Sequence, residues 1–399
     1  MADAHDREPR RAERPLPLPP VPTDRDLSGR SFGERELNLL REVLASGALN
    51  SNGGSFVPRF EREFAHVLGS PHAIACSSGS LAVQGCLAAL DLPSGSEIVT
   101  SPITDFGAIA AILFAGLRPR FCDVDPETLM PTEASILAAV TPATTAVVVT
   151  YLFGRAFDIR ALVDTLAKRG IDVVEDAAQA LGARIEGHVP GTVGALGAFS
   201  FQQSKHITSG EGGAIVASTD TLARRARLFV NKAWPYGEPD PDHEFIAPNG
   251  RLTELQAAVL VAQLERLESF IEQRRATARC FAHALAGRTD RLRIPAEPPG
   301  HRYSHWRLHL VASPELDLDT LAERARHAGL PCQAHYVGRP AFDLRAMREA
   351  GFRERVEDFP GVKQGLANSL VVPWNERIDE ELATLLGATL GDLAGECGA

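Results

Sequence analysis

The residues of this chain best suited to chemistry gather around one lysine. The segment Ala198-Phe-Ser-Phe-Gln-Gln-Ser-Lys205-His-Ile-Thr-Ser-Gly-Glu-Gly-Gly213 sets a single amine among short polar side chains and closes on a glycine-rich turn. An amine pressed into such a loop is partly desolvated, loses its proton more easily and becomes a nucleophile toward an aldehyde. A lysine in other company is a solvated surface charge. Glu175-Asp176-Ala-Ala-Gln179 ends an apolar run that reads as a strand. Strand alternation sends Glu175 and Asp176 to opposite faces, so one of them enters a site. A buried carboxylate needs a cationic partner; the other reading is a helix cap or a salt bridge. Cys76-Ser-Ser-Gly-Ser80 precedes a stretch of helical spacing (Leu81, Val83, Leu87, Leu90). Small residues at a helix start expose backbone N–H groups to an anion such as phosphate, or serve simply as a cap. Phe106, leaving another strand in Ser101-Pro-Ile-Thr-Asp-Phe106, offers a stacking face for a flat ligand or a core side chain.

These segments sit where an α/β protein carries function, at strand ends and helix starts. From Ala73 onward strands and helices alternate: strands at Ile98–Thr100, Arg120–Val124, Ala146–Thr150 and Ile171–Asp176, helices through Ile109–Phe114 and Ile159–Arg169. The run Ala146-Val-Val-Val-Thr150 is continuous and β-branched, as a strand covered on both faces must be. The rhythm predicts an α/β fold: a large domain with a mostly parallel sheet flanked by helices. After Ala214–Ala217 helices dominate, and from Arg302 short strands mix with helices, predicting a smaller C-terminal α+β domain. The expected layout is a Pro- and Arg-rich arm over 1–26, flexible or loosely docked, a large domain over 27–265 and a small one over 266–399.

Bulk properties exclude several classes. With 41 basic against 51 acidic residues the formal net charge is −10, which lacks the positive field that nucleic acid would require. No apolar run reaches membrane-span length and the N-terminus lacks a signal-type apolar core, so a cytoplasmic protein without membrane or nucleic-acid partners is expected. The six scattered cysteines read as small buried hydrophobes in a reducing compartment. His301, His305 and His309 recur at every fourth position, but with no acidic or cysteine ligand near they read as edge histidines of a strand over Arg302–Val311, and no metal is expected. Gly191, Gly194 and Gly197 form a regular run that is not a dinucleotide fingerprint.

Taken together, the order and wording of these segments resemble the DegT/DnrJ/EryC1/StrS family, the sugar aminotransferases of the fold-type I group that use pyridoxal 5'-phosphate (PLP). The likeness runs from about Arg59-Phe-Glu-Arg-Glu-Phe-Ala65 to the C-terminal region. The resemblance implies that Lys205 forms the Schiff base to PLP and then moves the proton. It implies that Asp176 faces the protonated pyridine nitrogen, that Gln179 lies beside the ring, and that Phe106 stacks on it. Ser78, Gly79, Ser80 and Ser200 match phosphate contacts. Asn249, in Pro248-Asn-Gly-Arg-Leu-Thr-Glu-Leu-Gln-Ala-Ala258, matches an asparagine reaching the phosphate of a neighbouring subunit, which implies a homodimer with shared active sites.

The implied reaction moves an amino group from glutamate or glutamine, through pyridoxamine phosphate, to the ketone of a nucleotide-linked sugar or a ketocyclitol, in amino-sugar, polysaccharide or secondary-metabolite biosynthesis. His335, Tyr336 and Arg339 are candidates to meet the acceptor, with Arg339 suited to a phosphate; ordinary surface residues are the other reading. Three departures stand out. Ser80 replaces the family's usual threonine. Gly250 follows Asn249 where an aromatic is common, suggesting a looser loop or a more open substrate side. Phe229-Val-Asn-Lys-Ala-Trp-Pro-Tyr-Gly237 differs from the common pattern, suggesting distinctive acceptor recognition. A related sugar dehydratase would carry histidine at the lysine position, whereas here His206 is only its neighbour. A non-catalytic partner or regulatory protein of the same fold is the remaining alternative.

Overall fold

The computed structural model describes residues 18–397. Its first part holds eight strands, the first five alternating with helices: β1 (His72–Cys76), β2 (Glu97–Thr100), β3 (Arg118–Phe121), β4 (Thr144–Thr150), β5 (Asp172–Asp176), β6 (Arg184–Ile185), β7 (Leu196–Ser200) and β8 (Gly213–Ala217). Seven of them form one sheet in the order β1-β8-β7-β5-β4-β2-β3. Strands β7, β5, β4, β2 and β3 run parallel, while β8 is antiparallel to both of its neighbours. The valine run of β4 is buried on both faces, with apolar clusters above and below the sheet, as its unbroken β-branched pattern requires.

Helix α1 (Glu34–Ser46) precedes α2 (Phe56–Leu68), and α3 (Gly79–Ala89) and α4 (Phe106–Phe114) follow β1 and β2. Phe56, Phe60, Phe64 and Leu68 recur at every fourth position of α2 and are all buried. Phe60 and Phe64 meet Phe201 edge-on at 5.3 and 5.4 Å, and Phe64 meets Phe199 at 5.2 Å. Such pairs add about 0.5–1.5 kcal/mol each beyond their area. They clamp the end of β7, from which the Lys205 loop departs.

The C-terminal part holds β9 (Leu292–Arg293), β10 (His301–Arg302), β11 (Arg307–Ala312), β12 (Gln333–Ala334) and β13 (Ser369–Pro373). Four of these make an antiparallel sheet in the order β12-β13-β11-β9, packed on its own core, which includes Phe281, Leu308, Leu310, Leu370, Val372 and Trp374. Helix Leu267–Ala286 spans the two cores, with Phe270 and Ile271 in the first and Phe281 and Leu285 in the second.

Two expectations are corrected here. Arg302–Val311 is not one strand with edge histidines. The chain leaves β10, turns through His305 at φ 47° where Ser304 N–H donates to Gly154 O (2.8 Å), and re-enters as β11. His309 is buried in an inner strand, stacked on Phe153 at 4.5 Å and 3.2 Å from Arg155 Nη1. Nor is the described part of the N-terminal arm loose; its residues 1–17 lie outside the described residues. Leu18 N–H donates to Ala328 O (3.2 Å), Asn375 Nδ2 to Pro22 O (2.8 Å) and Gln203 Nε2 to Asp24 O (2.8 Å). Leu18 and Val21 pack on the C-terminal core, so apolar contact and backbone pairing override the Pro-rich composition.

Candidate active site

Lys205 stands on the loop between β7 and β8, against a cavity of about 1020 Å³. Its backbone is held from below: Arg30 Nη1 donates to Lys205 O (2.9 Å), and Arg30 also bonds Gln203 O. Arg30 is itself buried beside Glu376, which Arg274 pairs at 2.7 Å. The Lys205 amine lies over the Trp306 ring, 4.2 Å from its centroid, and the indole N–H donates to Ser204 O (2.7 Å). Burial pushes the Lys205 amine down to about 8, against the opposing pull of Asp176.

Glu175 and Asp176 point to opposite faces of β5. Asp176 faces the cavity at the end of β5, where Ala178 N–H donates to its Oδ1 (3.1 Å). Burial raises its carboxyl to about 6, with that bond and Lys205 pulling it back. Glu175 points the other way and accepts from Tyr151 Oη (2.7 Å) and from the amides of Gly191 (2.8 Å), Val193 (2.7 Å) and Gly194 (2.7 Å). The regular glycine run thus belongs to the scaffold: two of its amides hold Glu175. A Cβ at Gly197 would sit 2.0 Å from Gly191 O.

Ser78, Gly79, Ser80 and Ser200 come together in the same cavity. Ser78 caps α3, accepting from Leu81 N–H (3.1 Å), so the first amides of the helix face the cavity without intrahelical partners. A Cβ at Gly79 would stand 2.7 Å from Ser200 Cβ, and one at Gly213 only 2.3 Å from Ser78 O. This close-packed backbone cradle at a helix N-terminus is the form that binds a phosphate group. Gln179 also lines the cavity: its Oε1 accepts from Phe153 N–H (3.0 Å) and its Nε2 donates to Tyr336 Oη (3.1 Å).

Of the three candidate acceptor residues only Tyr336 lines the cavity. His335 and Tyr336 take left-handed conformations (φ 61° and 44°), and this turn sends neighbouring side chains apart. His335 Nδ1 lies 2.9 Å from Leu366 O, and Arg339 is exposed outside the cavity lining. Phe106 is likewise not among the lining residues. It opens α4 with its ring against the apolar cluster of Ile109, Phe121 and Phe342, leaving Asp105 and Ala108 to face the cavity. Asn249 is exposed and outside this chain's cavity; the segment 229–237, largely buried, also lies outside the cavity lining.

The expected loosening at Gly250 is corrected. Gly250 N–H donates to Val230 O (2.9 Å), its carbonyl accepts from Ser77 N–H (2.8 Å), and a Cβ would meet Leu81 Cδ2 at 2.0 Å. The position is glycine because α3 approaches it closely. His206 is buried with Nε2 3.2 Å from Ser304 O, outside the cavity lining.

Sequence reasoning missed Asp24, Arg30, Asp105, Trp306 and Arg307. All but Arg30 line the cavity. Asp24 and Arg30 lie in a stretch read as arm or boundary, and Trp306-Arg307 in a stretch read as ordinary strand. The unusual pairing of a tryptophan with an arginine beside three histidines was the signal available. Among the described residues, no helix is long and apolar enough to cross a membrane, and no cluster of three or more His, Cys, Asp or Glu is placed to hold a metal. All six cysteines are free thiols, five of them buried.

Comparison with known proteins agrees with this architecture. GDP-perosamine synthase of Vibrio cholerae is 31% identical over 288 residues, 72% of this chain and 77% of that protein. L-glutamine:2-deoxy-scyllo-inosose aminotransferase of Streptomyces kanamyceticus is 36% identical over 279 residues, 66% of this chain and 63% of that protein, so this chain spans less than two thirds of that relative. The crystal structure of the aminotransferase TlmJ from Streptoalloteichus hindustanus superposes with a TM-score of 0.83 at 29% identity, covering 92% of this chain and 98% of that one. The sequence profile of one family matches residues 30–389, and this chain belongs to it: the DegT/DnrJ/EryC1/StrS aminotransferase family.

Proposed function

We propose that this chain is a PLP-dependent aminotransferase that moves an amino group from glutamate or glutamine to the ketone of a nucleotide-linked sugar or a ketocyclitol. The observation that carries the reading is the meeting, in one cavity, of a half-buried lysine amine, a buried carboxylate with one hydrogen bond and a glycine cradle at a helix start. These residues fit PLP. Ser78, Gly79, Ser80 and Ser200 would hold the phosphate, and Asp176 would face the ring nitrogen. When bound, PLP supplies the aldehyde that takes the amine and a ring that accepts the electron pair released at the amino donor's Cα.

The side chains do the rest. With its amine near 8, Lys205 has an appreciable neutral fraction at neutral pH, so it would be the residue to hold the aldehyde, and its Nζ would accept and return the proton. Asp176, costly to bury as a lone anion, is stabilised by a cation opposite it and keeps that cation protonated in return. Gln179 and Tyr336 form a hydrogen-bonded wall beside them, and Trp306 limits water around the amine. The names of the two curated relatives supply the acceptor classes, a GDP-linked sugar and an inosose, and one of them supplies glutamine as donor. Exposed Asn249 supports a homodimer in which a partner completes the site. The lysine at the position where a dehydratase has histidine, with His206 turned to Ser304, favours amine transfer over dehydration.

The test is the absorption spectrum of the purified protein with PLP, before and after L-glutamate or L-glutamine, beside Lys205→Ala. A visible cofactor band that the donor discharges, and that the variant alters, is expected. Absence of any cofactor signal after incubation with excess PLP would sink the reading.

A further inference from the structure

The docked N-terminal segment brings an acidic side chain into the cavity. Thr23 N–H donates to Ser28 Oγ (3.0 Å), Ser28 N–H to Asp26 Oδ1 (2.8 Å), and a Cβ at Gly29 would collide with Thr23 O at 2.4 Å. This tight turn, with the bonds at Pro22 and Asp24, fixes residues 21–25 as a wall of the cavity. Asp24 Oδ2 lies 3.4 Å from Arg307 Nη2, and both side chains are about one-fifth exposed. Arg307 in turn lies over the Trp306 ring, 4.6 Å from its centroid, the same ring that carries the Lys205 amine.

We propose that Arg307 receives the carboxylate of the amino donor, and that Asp24 occupies this position until the donor displaces it. The inference rests on the amine-transfer reading. Three features point to it. The contact of Asp24 is single and long, whereas a guanidinium and a free carboxylate pair best through two parallel bonds of about 2.7–2.9 Å. A ligand free to orient therefore outcompetes the tethered side chain. The indole holds Arg307 in place whichever carboxylate it meets. Finally, Arg307 and Lys205 share one ring, and an amino acid carries its α-carboxylate one bond from the carbon bearing the amine. A nucleotide phosphate lies a whole sugar ring away from the reacting ketone, so the carboxylate is the better match. The other cavity arginines fit less well: Arg326 Nη1 already donates to Cys332 O (3.3 Å), and Arg25 is exposed.

The probe is glutarate, a dicarboxylate with no amine to react, titrated calorimetrically into the PLP-loaded protein, with uridine diphosphate as the phosphate probe. Removing the competing charge in Asp24→Asn should tighten glutarate binding about three- to tenfold, while Arg307→Met should weaken it by about tenfold or more. Arg307→Lys, which keeps the charge and loses the fork, should fall between wild type and Arg307→Met and guards against misfolding of the methionine variant. Hydrogen exchange should show residues 18–25 losing protection when glutarate binds. The opposite signs of the two substitutions separate competition from a structural ion pair. Unchanged or weaker glutarate binding in Asp24→Asn overturns the proposal, and so does an Arg307 dependence seen with uridine diphosphate but not with glutarate. If glutarate behaves as expected but no amino donor discharges the cofactor, the amine-transfer reading fails and the carboxylate site stands. If donors discharge it and glutarate ignores Arg307, the reverse holds.

Discussion

Glu175 and Asp176 are neighbours on β5, both buried and both acidic, yet their surroundings differ sharply. Glu175 accepts four hydrogen bonds, three from backbone amides and one from Tyr151. Asp176 accepts one, from Ala178, and faces a cavity. The first is a finished structural site: its acceptors are used, and the glycine loop 191–194 is organised around it. The second is left incomplete within the chain, and an incompletely compensated buried charge is destabilising until a partner arrives. Neighbouring positions of one strand thus meet a closed, fully bonded environment on one face and an open cavity on the other.

The largest expected effect separates the two roles by activity. Asp176→Asn should lower the amine-transfer rate by about 100-fold or more while the protein remains folded, as removing a charge-holding or proton-transfer group does. Steady-state kinetics with a discharged donor would check this, and equal activity would remove Asp176 from the site. Next comes stability on the opposite face. Glu175→Ala leaves three amides without their acceptor and should cost about 3–5 kcal/mol in denaturant unfolding. Asp176→Asn in cofactor-free protein at pH 7 should be neutral or stabilising, because the carboxyl raised to about 6 is buried there in its unfavourable ionised form.

The third prediction uses pH. Lys205 titrates at about 8 when folded against 10.5 ordinarily. Folding therefore disfavours its charged form; the amine imposes no such cost above 10.5 and the full cost as pH falls below 8. Lys205→Met should raise the Tm of cofactor-free protein most below pH 8, and the gain should vanish by about 10.5. A pH-independent difference would show that burial of charge is not the cause. The smallest effect concerns the cradle. Gly79→Ala places a Cβ 2.7 Å from Ser200 and should weaken PLP retention about tenfold, with a stability change of about 1–3 kcal/mol or less. Dialysis followed by absorbance would read it.

Much of the fold was legible because local patterns and global burial agree. The β-branched run of β4, the apolar run of β5 and the helical spacing in Ile109–Phe114 and Ile159–Arg169 each have one comfortable solution. Strand β7 escaped notice, since three of the five residues in Leu196-Gly-Ala-Phe-Ser200, Gly197, Ala198 and Ser200, are small and carry no strand signal. The antiparallel direction of β8 could not be read either, because strand direction is set by the path of the chain and leaves no mark on composition. Within the cavity, residues on compact motifs were readable: Lys205, Asp176, Gln179 and the serine–glycine cradle all line it. Single residues at turns and helix starts were read unevenly: Tyr336 lines the cavity, but others named from the sequence do not. Phe106 and His335 carry plausible side chains that local geometry turns elsewhere, while Trp306 and Arg307 reach the cavity only because the chain breaks between β10 and β11.

By itself, then, the sequence determined most of the strands and helices of the large sheet and the short polar segments that end them, because hydrophobic period, glycine placement and helix capping are local properties. The tertiary structure alone decided that residues 21–25 wall the cavity, that Arg30 and Arg274 share Glu376 beneath the lysine loop, and that Asp24 meets Arg307. Those pairings join residues up to several hundred positions apart. Their energies depend on desolvation and distance in three dimensions, which no local pattern of residues encodes.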